Sequence, residues 1–392
     1  SVFVGVASAG GPFVAVLLAR LGASSFEVSL LTAVPAVTGL LFAIPFGRVL
    51  MARRNIIPTW SAARAFNQSI YLWLAIVAIL APPDLAVPLL LVVWTMFTFP
   101  QLVSMVGFSV VMDGVSGPGG RYDLMSRRWS VLGLANAIST AVVATALDRI
   151  GYPVNYHVVF LALGAIGACS WLFNSRIRLP DNVARPPAAA SRLGRMQAFA
   201  TEVRAQRAFV AIVWRRMVWT LGARLLLPLV PLFYVRELGA SDAEIGIILA
   251  AQTLALLVGY AVWRRVARRR GGRTVLRVAT IGVALGPLVL AQLDVVAVVV
   301  VVAAATAVFQ AGIDLAFFDE VMRTIPPELG ASLTGVDQTA QNLVAISVPL
   351  LVVTLTDAAG IRGGLVAASV LLFVAAALFV RLPAGPSTSP RD

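Results

Sequence analysis

Apolar residues fall along this chain in blocks long enough to cross a bilayer. The blocks run from Ser1 to Ala19, Glu27 to Leu50, Ile56 to Leu80, Leu85 to Met112, Trp129 to Leu147 and Tyr156 to Asn174. After a polar stretch, six more run from Trp214 to Val235, Ala243 to Trp263, Thr274 to Gln292, Val295 to Met322, Leu333 to Thr356 and Gly364 to Val380. A spanning helix needs about 20 mostly apolar residues. Twelve such blocks predict an all-α polytopic membrane protein with twelve transmembrane helices. The pattern divides the chain into a six-helix bundle at 1–174, a linker at 175–213, a second six-helix bundle at 214–380 and a disordered polar tail at 381–392. Ser1 already lies inside an apolar block, which points to a native start further upstream.

Composition agrees with lipid as the solvent. Of 392 residues, 59% are hydrophobic and 12% charged, and the mean hydropathy is +0.89. A water-soluble fold could not keep that much apolar surface covered. The single cysteine, Cys169, excludes an intrachain disulfide and a Cys-based metal cluster, and the single histidine, His157, excludes a His-rich metal site.

The net charge of +13 would suggest nucleic acid if it were spread over one surface. Instead it is segregated by loop. Arg53 and Arg54, Arg121 with Arg127 and Arg128, the run from Arg176 to Arg216, the cluster from Arg264 to Arg277, and Arg323 occupy alternate loops. The intervening loops hold only Arg20, Arg149, Arg236 and Arg362. This is the positive-inside pattern, which puts the Arg-rich loops and both termini in the cytoplasm and the chain in the cell membrane. The basic loops lack interleaved aromatic platforms, so nucleic acid is not an expected partner. In the linker, Met196, Phe199 and Val203 recur at helical spacing among Arg192, Arg195, Arg204 and Arg207. That spacing fits either an amphipathic helix on the cytoplasmic leaflet or a solvated tether.

An internal repeat organises the whole. Leu21-Gly22-Ala23-Ser24-Ser25-Phe26-Glu27-Val28 matches Leu238-Gly239-Ala240-Ser241-Asp242-Ala243-Glu244-Ile245 at a shift of 217 residues. The same shift lays Arg48 on Arg265 and Arg53 on Arg270, and a shift of 209 lays Asp148 on Asp357, Gly151 on Gly360 and Gln101 on Gln310. Two similar halves therefore cover nearly the whole chain. Two six-helix halves in parallel orientation, joined by a cytoplasmic linker, resemble the major facilitator superfamily of secondary transporters. The turns after the second and eighth helices carry the resemblance. Gly47-Arg48-Val49-Leu50-Met51-Ala52-Arg53-Arg54 stands at the first, and Gly259-Tyr260-Ala261-Val262-Trp263-Arg264-Arg265, followed by Arg268 to Arg273, at the second. Both keep the basic residues of the family's motif and lack its aspartate.

The resemblance implies alternating access around a cavity lined by the first, fourth, seventh and tenth helices. Arg224, about 15 Å into the seventh helix, and Asp314, about 12 Å into the tenth, lie at matching depths. Ionisable groups there are costly unless paired or facing water, so the two are expected either to form a pair that substrate or proton breaks, or to stand as a static ion pair. Gln101 and Gln310 are expected either on the substrate path or as interhelical glue. Arg64, about 12 Å into the third helix, belongs to the same group of intramembrane polar residues. The family's third helix lies outside the cavity, so Arg64 is expected to snorkel or pack against a half-buried polar neighbour rather than touch substrate. Where the family latches its cytoplasmic face with the motif aspartate, a latch of reversed polarity is expected: Arg48 with Asp113, and Arg265 with Asp319 or Glu320.

Ser24-x-x-Glu27 and Ser241-x-x-Glu244 have the form of capping boxes rather than proton-coupling acids. Gly10-Gly11-Pro12 in the first helix and Pro228 with Pro231 in the seventh suit bending and close packing. The expected function is a secondary active transporter that moves a small solute without a cofactor, as a monomer, with proton-coupled efflux as one mode. The fifth helix carries Leu132-Gly133-Leu134-Ala135-Asn136-Ala137 where drug-exporting branches have a Gly-Pro-x-x-Gly-Gly type element, which weakens that mode. The alternative is a non-transporting member of the same fold that acts as a scaffold, lipid handler or assembly factor. An enzyme is not expected, because one histidine and scattered carboxylates assemble no catalytic constellation.

Overall fold

The computed structural model describes residues 2–51, 53, 55–116, 121–177, 203–324 and 330–380. The expected linker helix around Met196 and Phe199 and the polar tail lie outside the described residues. The ordered elements are all helical: α1 (Val2–Ser8), α2 (Gly11–Arg20), α3 (Ser25–Met51), α4 (Ile57–Gln68), α5 (Ile70–Leu80), α6 (Ala86–Ser116), α7 (Arg121–Arg149), α8 (Val154–Cys169), α9 (Trp171–Asn174), α10 (Arg207–Leu232), α11 (Asp242–Arg270), α12 (Gly272–Leu290), α13 (Val296–Thr324) and α14 (Gly330–Val380). A π-helical turn, Phe233–Glu237, extends α10.

These elements make twelve crossings. Three spans are broken into collinear or bent pairs: α1 with α2, α4 with α5, and α8 with α9. The α4–α5 pair bends by 40° at Ser69. The 45 mostly apolar residues Val336–Val380 of α14 would reach about 68 Å if straight, more than twice a hydrocarbon core. They are two spans that reverse at Gly360, whose φ of 69° departs from the helix. Both ends of α14 consequently lie beside the start of α10. Arg215 Nε donates to the Leu378 carbonyl at 3.1 Å, and Arg216 pairs with Asp337.

The repeat is visible in local geometry. Ser24 Oγ accepts the Glu27 backbone N–H at 3.2 Å, and the Glu27 carboxylate accepts the Ser24 N–H at 2.7 Å. Ser241 and Glu244 make the same pair of bonds at 3.2 and 2.8 Å. Each box satisfies orphan donors at a helix start. Two residues before each cap, Gly22 and Gly239 adopt φ of +83° and +61°. Residues with a Cβ seldom reach that region, so the same turn is built twice at the 217-residue shift.

Helices α1–α9 form one bundle and α10–α14 the other. Between the bundles, α3 packs along α14 and α7 along α11. The repeat exchanges these two seams, as a pseudo-twofold axis between the halves requires. Close approach at the second seam depends on Gly246, where a Cβ would collide with Ala144. Buried apolar residues form one continuous cluster across both bundles toward the end away from the Arg-rich loops, joining Phe13, Leu17 and Tyr156 to Leu229, Phe233 and Ile248. Toward the Arg-rich end the core splits into separate clusters. Trp60 with Val111 belongs to one bundle, and Trp219 with Phe317 and Phe209 with Leu333 belong to the other.

Candidate functional site

The end away from the Arg-rich loops is sealed by polar bonds that cross from one bundle to the other. Arg20, closing α2, sends Nε and Nη2 to Asp242 Oδ1 at 2.8 Å, and Nη2 also reaches the Ala240 carbonyl at 3.0 Å. Tyr156 on α8 donates its hydroxyl to the same carboxylate oxygen at 3.0 Å. Arg236 donates to the Ala23 carbonyl, and Ser25 and Thr356 share a hydrogen bond at 3.0 Å. Asp242 is only 8% exposed. It also opens α11, where the free N–H groups of the first turn favour a negative charge. Burial, with Asp242 adding and Arg20 opposing, raises the pKa of Tyr152 beside this cluster, so its phenol stays neutral at physiological pH.

Below that seal a cavity of about 510 Å³ lies between the bundles. Its walls are mostly apolar, with Trp94 and Thr32 on one side and Tyr234, Gln252 and Thr306 on the other. Pro12 and Pro231 both line it, so the proline-bearing stretches of the first and seventh spans face one space. The break between α1 and α2 falls at Ala9 and Gly10, immediately before Pro12. Leu227 is shared with an adjoining cavity of about 450 Å³ within the second bundle, which opens nearer the Arg-rich end.

That adjoining cavity gathers Arg224, Gln310 and Asp314 with Thr220, Gln338 and Gln341. Asp314 accepts hydrogen bonds from the Tyr260 hydroxyl and from Gln310 Nε2, each at 2.9 Å. The expected Arg224–Asp314 pair is therefore not formed. Tyr260 and Gln310 already occupy the carboxylate, and among the described residues Arg224 has no ion-pair or hydrogen-bond partner. About two turns nearer the Arg-rich end along α10, Arg216 pairs with Asp337, whose other oxygen accepts from Gln341 at 3.2 Å. A pocket with a free guanidinium, a carboxylate held by two donors and several amides can bind a small polar or charged solute while the neighbouring apolar space holds a nonpolar part.

The remaining expected residues lie elsewhere. Gln101 is exposed on α6 and does not line the cavity of its repeat partner Gln310. Arg64 is buried in the first bundle with its guanidinium 5.3 Å over the Trp60 ring, well away from Arg224 and Asp314. At the Arg-rich end, the side chains of Arg48, Asp113 and Asp319 are outside the described part. Glu320 is taken by Arg273, at 3.0 Å to Nη2 and 3.2 Å to Nε, while Arg265 is exposed. The pairing expected between Arg265 and Glu320 is thus not formed, and Arg273 of the same bundle holds that carboxylate. Arg273 opens α12 beside the end of α13, whereas Arg265 points off α11.

Arg20, Tyr156, Tyr260 and the Arg216–Asp337 pair were not singled out from sequence. One signal was available for Asp242. It stands where the first copy of the repeat has Ser25, so the copies differ at a helix start that they otherwise share.

Two helical bundles joined at one end around a shared cavity, with charged groups at membrane depth, define a polytopic membrane protein built to expose an interior site. Residues 216–392 match the model of the Major Facilitator Superfamily. The fold of the whole chain is that of solved members: a mutant of the nucleoside transporter NupG (TM-score 0.71, 13% identity, 97% of each chain covered) and a bacterial homologue of the human lysosomal transporter Spinster, inward-facing and unoccupied (0.67, 14%, 96% of this chain and 93% of that one). A bacterial metal transporter is more distant (0.55, 12%, 91% and 97%). No curated protein matches in a sequence search. Over its second half the chain matches this family by sequence, and over its whole length it has the fold of these transporters.

Proposed function

We propose that this protein is a secondary active transporter that carries a small solute by alternating access, described here with its cytoplasmic side open. The carrying observation is the one-sided seal: among the described residues, every side-chain hydrogen bond or ion pair between the bundles lies at the end away from the Arg-rich loops. The positive-inside asymmetry makes that end extracellular and puts both termini in the cytoplasm. The resting cavity then faces the cytoplasm, and the Arg20–Asp242–Tyr156 cluster is the barrier that must break for the site to face out.

Asp314 is the carboxylate of the inner cavity and is the site we assign to proton coupling. Protonating it would weaken its hold on Tyr260 and Gln310 and alter the solute contacts of α10 and α13 together. Arg224 supplies the fixed positive charge. The same fold carries nucleosides in NupG and metal in a bacterial transporter, so the solute of this chain follows from its own lining rather than from theirs. A scaffold or assembly factor would tolerate a dry, apolar centre, and the polar inner cavity favours transport.

The test uses a C169S background with a single cysteine at Thr32, which lines the central cavity. An impermeant maleimide added from the Arg-rich side should label it readily, and from the other side poorly. Lowering the pH should shift that ratio in the parent and leave it fixed in Asp314→Asn. Equal labelling from both sides at every pH, in parent and variant alike, would rule out the gated carrier.

A further inference from the structure

A second polar cavity lies inside the first bundle, away from the space between the halves. It holds about 550 Å³ and is bordered by α1, α4, α6, α7 and α9 near the Arg-rich end. Arg64 and Arg128 both line it. Arg64 is 9% exposed, and among the described residues its guanidinium has neither a hydrogen bond nor a carboxylate, only the face of Trp60. A cation–π contact offsets part of the desolvation of a guanidinium but satisfies none of its five donors.

Two further donors in the same wall are unsatisfied. Ser170 Oγ, on a residue 4% exposed, and Asn174 Nδ2 are buried without a hydrogen-bond partner. Among the described residues the lining includes no aspartate or glutamate. Natural interiors seldom leave a buried cation and two polar atoms unpaired. The rim is different in character, because Val2, Val115, Val131 and Phe173 are exposed apolar side chains, as surfaces facing lipid are.

The geometry points to an anion site in the first bundle that takes a phosphate-type head group between Arg64, Ser170 and Asn174, with the apolar rim receiving the attached chain. Arginine forks suit phosphate oxygens, and a hydroxyl and an amide N–H₂ complete a donor set with no competing acceptor demand. The head group can belong to an anionic lipid of the cytoplasmic leaflet or to a free phosphate. The apolar rim favours the lipid. This site is independent of the solute path, since none of its lining residues borders either cavity of the transport route.

The experiment is native mass spectrometry and thermal melting of the purified full chain in detergent with three probes: dioleoylphosphatidate, dioleoylglycerol and inorganic phosphate. The expected result is one phosphatidate retained per chain with a raised melting temperature, little retention of dioleoylglycerol, and weak protection by phosphate. Arg64→Gln should weaken phosphatidate by about tenfold or more, the scale of one lost charge-assisted contact, and Arg64→Lys should keep most of it. If Arg64→Gln does not accumulate as folded protein, Asn174→Leu serves as the second variant and should weaken phosphatidate severalfold. Brominated phosphatidate should quench the parent more than Trp60→Phe, which locates the bound lipid. Phosphate binding as tightly as phosphatidate would overturn the lipid as source. Undiminished phosphatidate binding in folded Arg64→Gln or Asn174→Leu, or equal retention of dioleoylglycerol, would overturn the site itself.

Discussion

In the proposed carrier, Asp242 is the side chain whose contacts favour the sealed state. Its carboxylate holds Arg20 and Tyr156 from the other bundle at 2.8 and 3.0 Å, and a largely buried charged hydrogen bond contributes about 1.5–3 kcal/mol. Asp242→Asn keeps the shape and removes the charge. It is expected to move the population toward the outward-facing state by about tenfold, read as increased labelling of Thr32→Cys from the extracellular side. Unchanged labelling would assign the seal to apolar packing instead. Asp337 makes a different prediction. It is 2% exposed, and Arg216→Ala would leave its charge buried and alone, costing about 1–3 kcal/mol, whereas Arg216→Met with Asp337→Leu should recover most of that loss in a detergent melt. The residue scale was the least legible in sequence. Depth along a helix is readable from spacing, which is why Arg224, Gln310 and Asp314 were placed in one region. Direction around the helix is not, which is why Gln101 was grouped with them and Tyr260 was missed.

At the scale of elements, the repeated turns were fully readable, because each is specified by adjacent residues. Gly22 or Gly239 supplies the positive φ, and Ser24-x-x-Glu27 or Ser241-x-x-Glu244 closes the helix start. Removing either cap hydroxyl, Ser24→Ala or Ser241→Ala, should cost about 1 kcal/mol of stability. Glu27→Gln and Glu244→Gln should leave the pH response of the Thr32→Cys labelling intact, since these carboxylates serve the backbone. A lost pH response in either would return them to proton coupling. The seams between elements were less readable. Gly246 carries no local turn requirement, and its role against Ala144 depends on α7 lying alongside α11. Gly246→Leu is expected to wedge this seam apart and raise extracellular labelling of Thr32→Cys as Asp242→Asn does, although no charge is altered. At the Arg-rich turns the expected Arg265–Glu320 pairing is not formed, for a related reason, while the side chains of Arg48, Asp113 and Asp319 lie outside the described part. Glu320 had several arginines within sequence reach, and only packing of α12 on α13 selects Arg273.

For the whole molecule, twelve crossings and two bundles were legible because bilayer thickness and the internal repeat impose them on the sequence directly. The conformational state was not, since both states of a rocking carrier share the same helices and differ in which cross-bundle contacts are made. The account stands on one end being closed while the other is open. It is tested most directly by double electron–electron resonance on two cysteine-labelled pairs in the C169S background: Asp84→Cys with Gln292→Cys at the sealed end, and Ser175→Cys with Arg268→Cys at the Arg-rich end. Adding Asp242→Asn should lengthen distances in the first pair and shorten them in the second. Both pairs unchanged, or both moving in the same direction, would contradict a carrier that alternates about its central cavity.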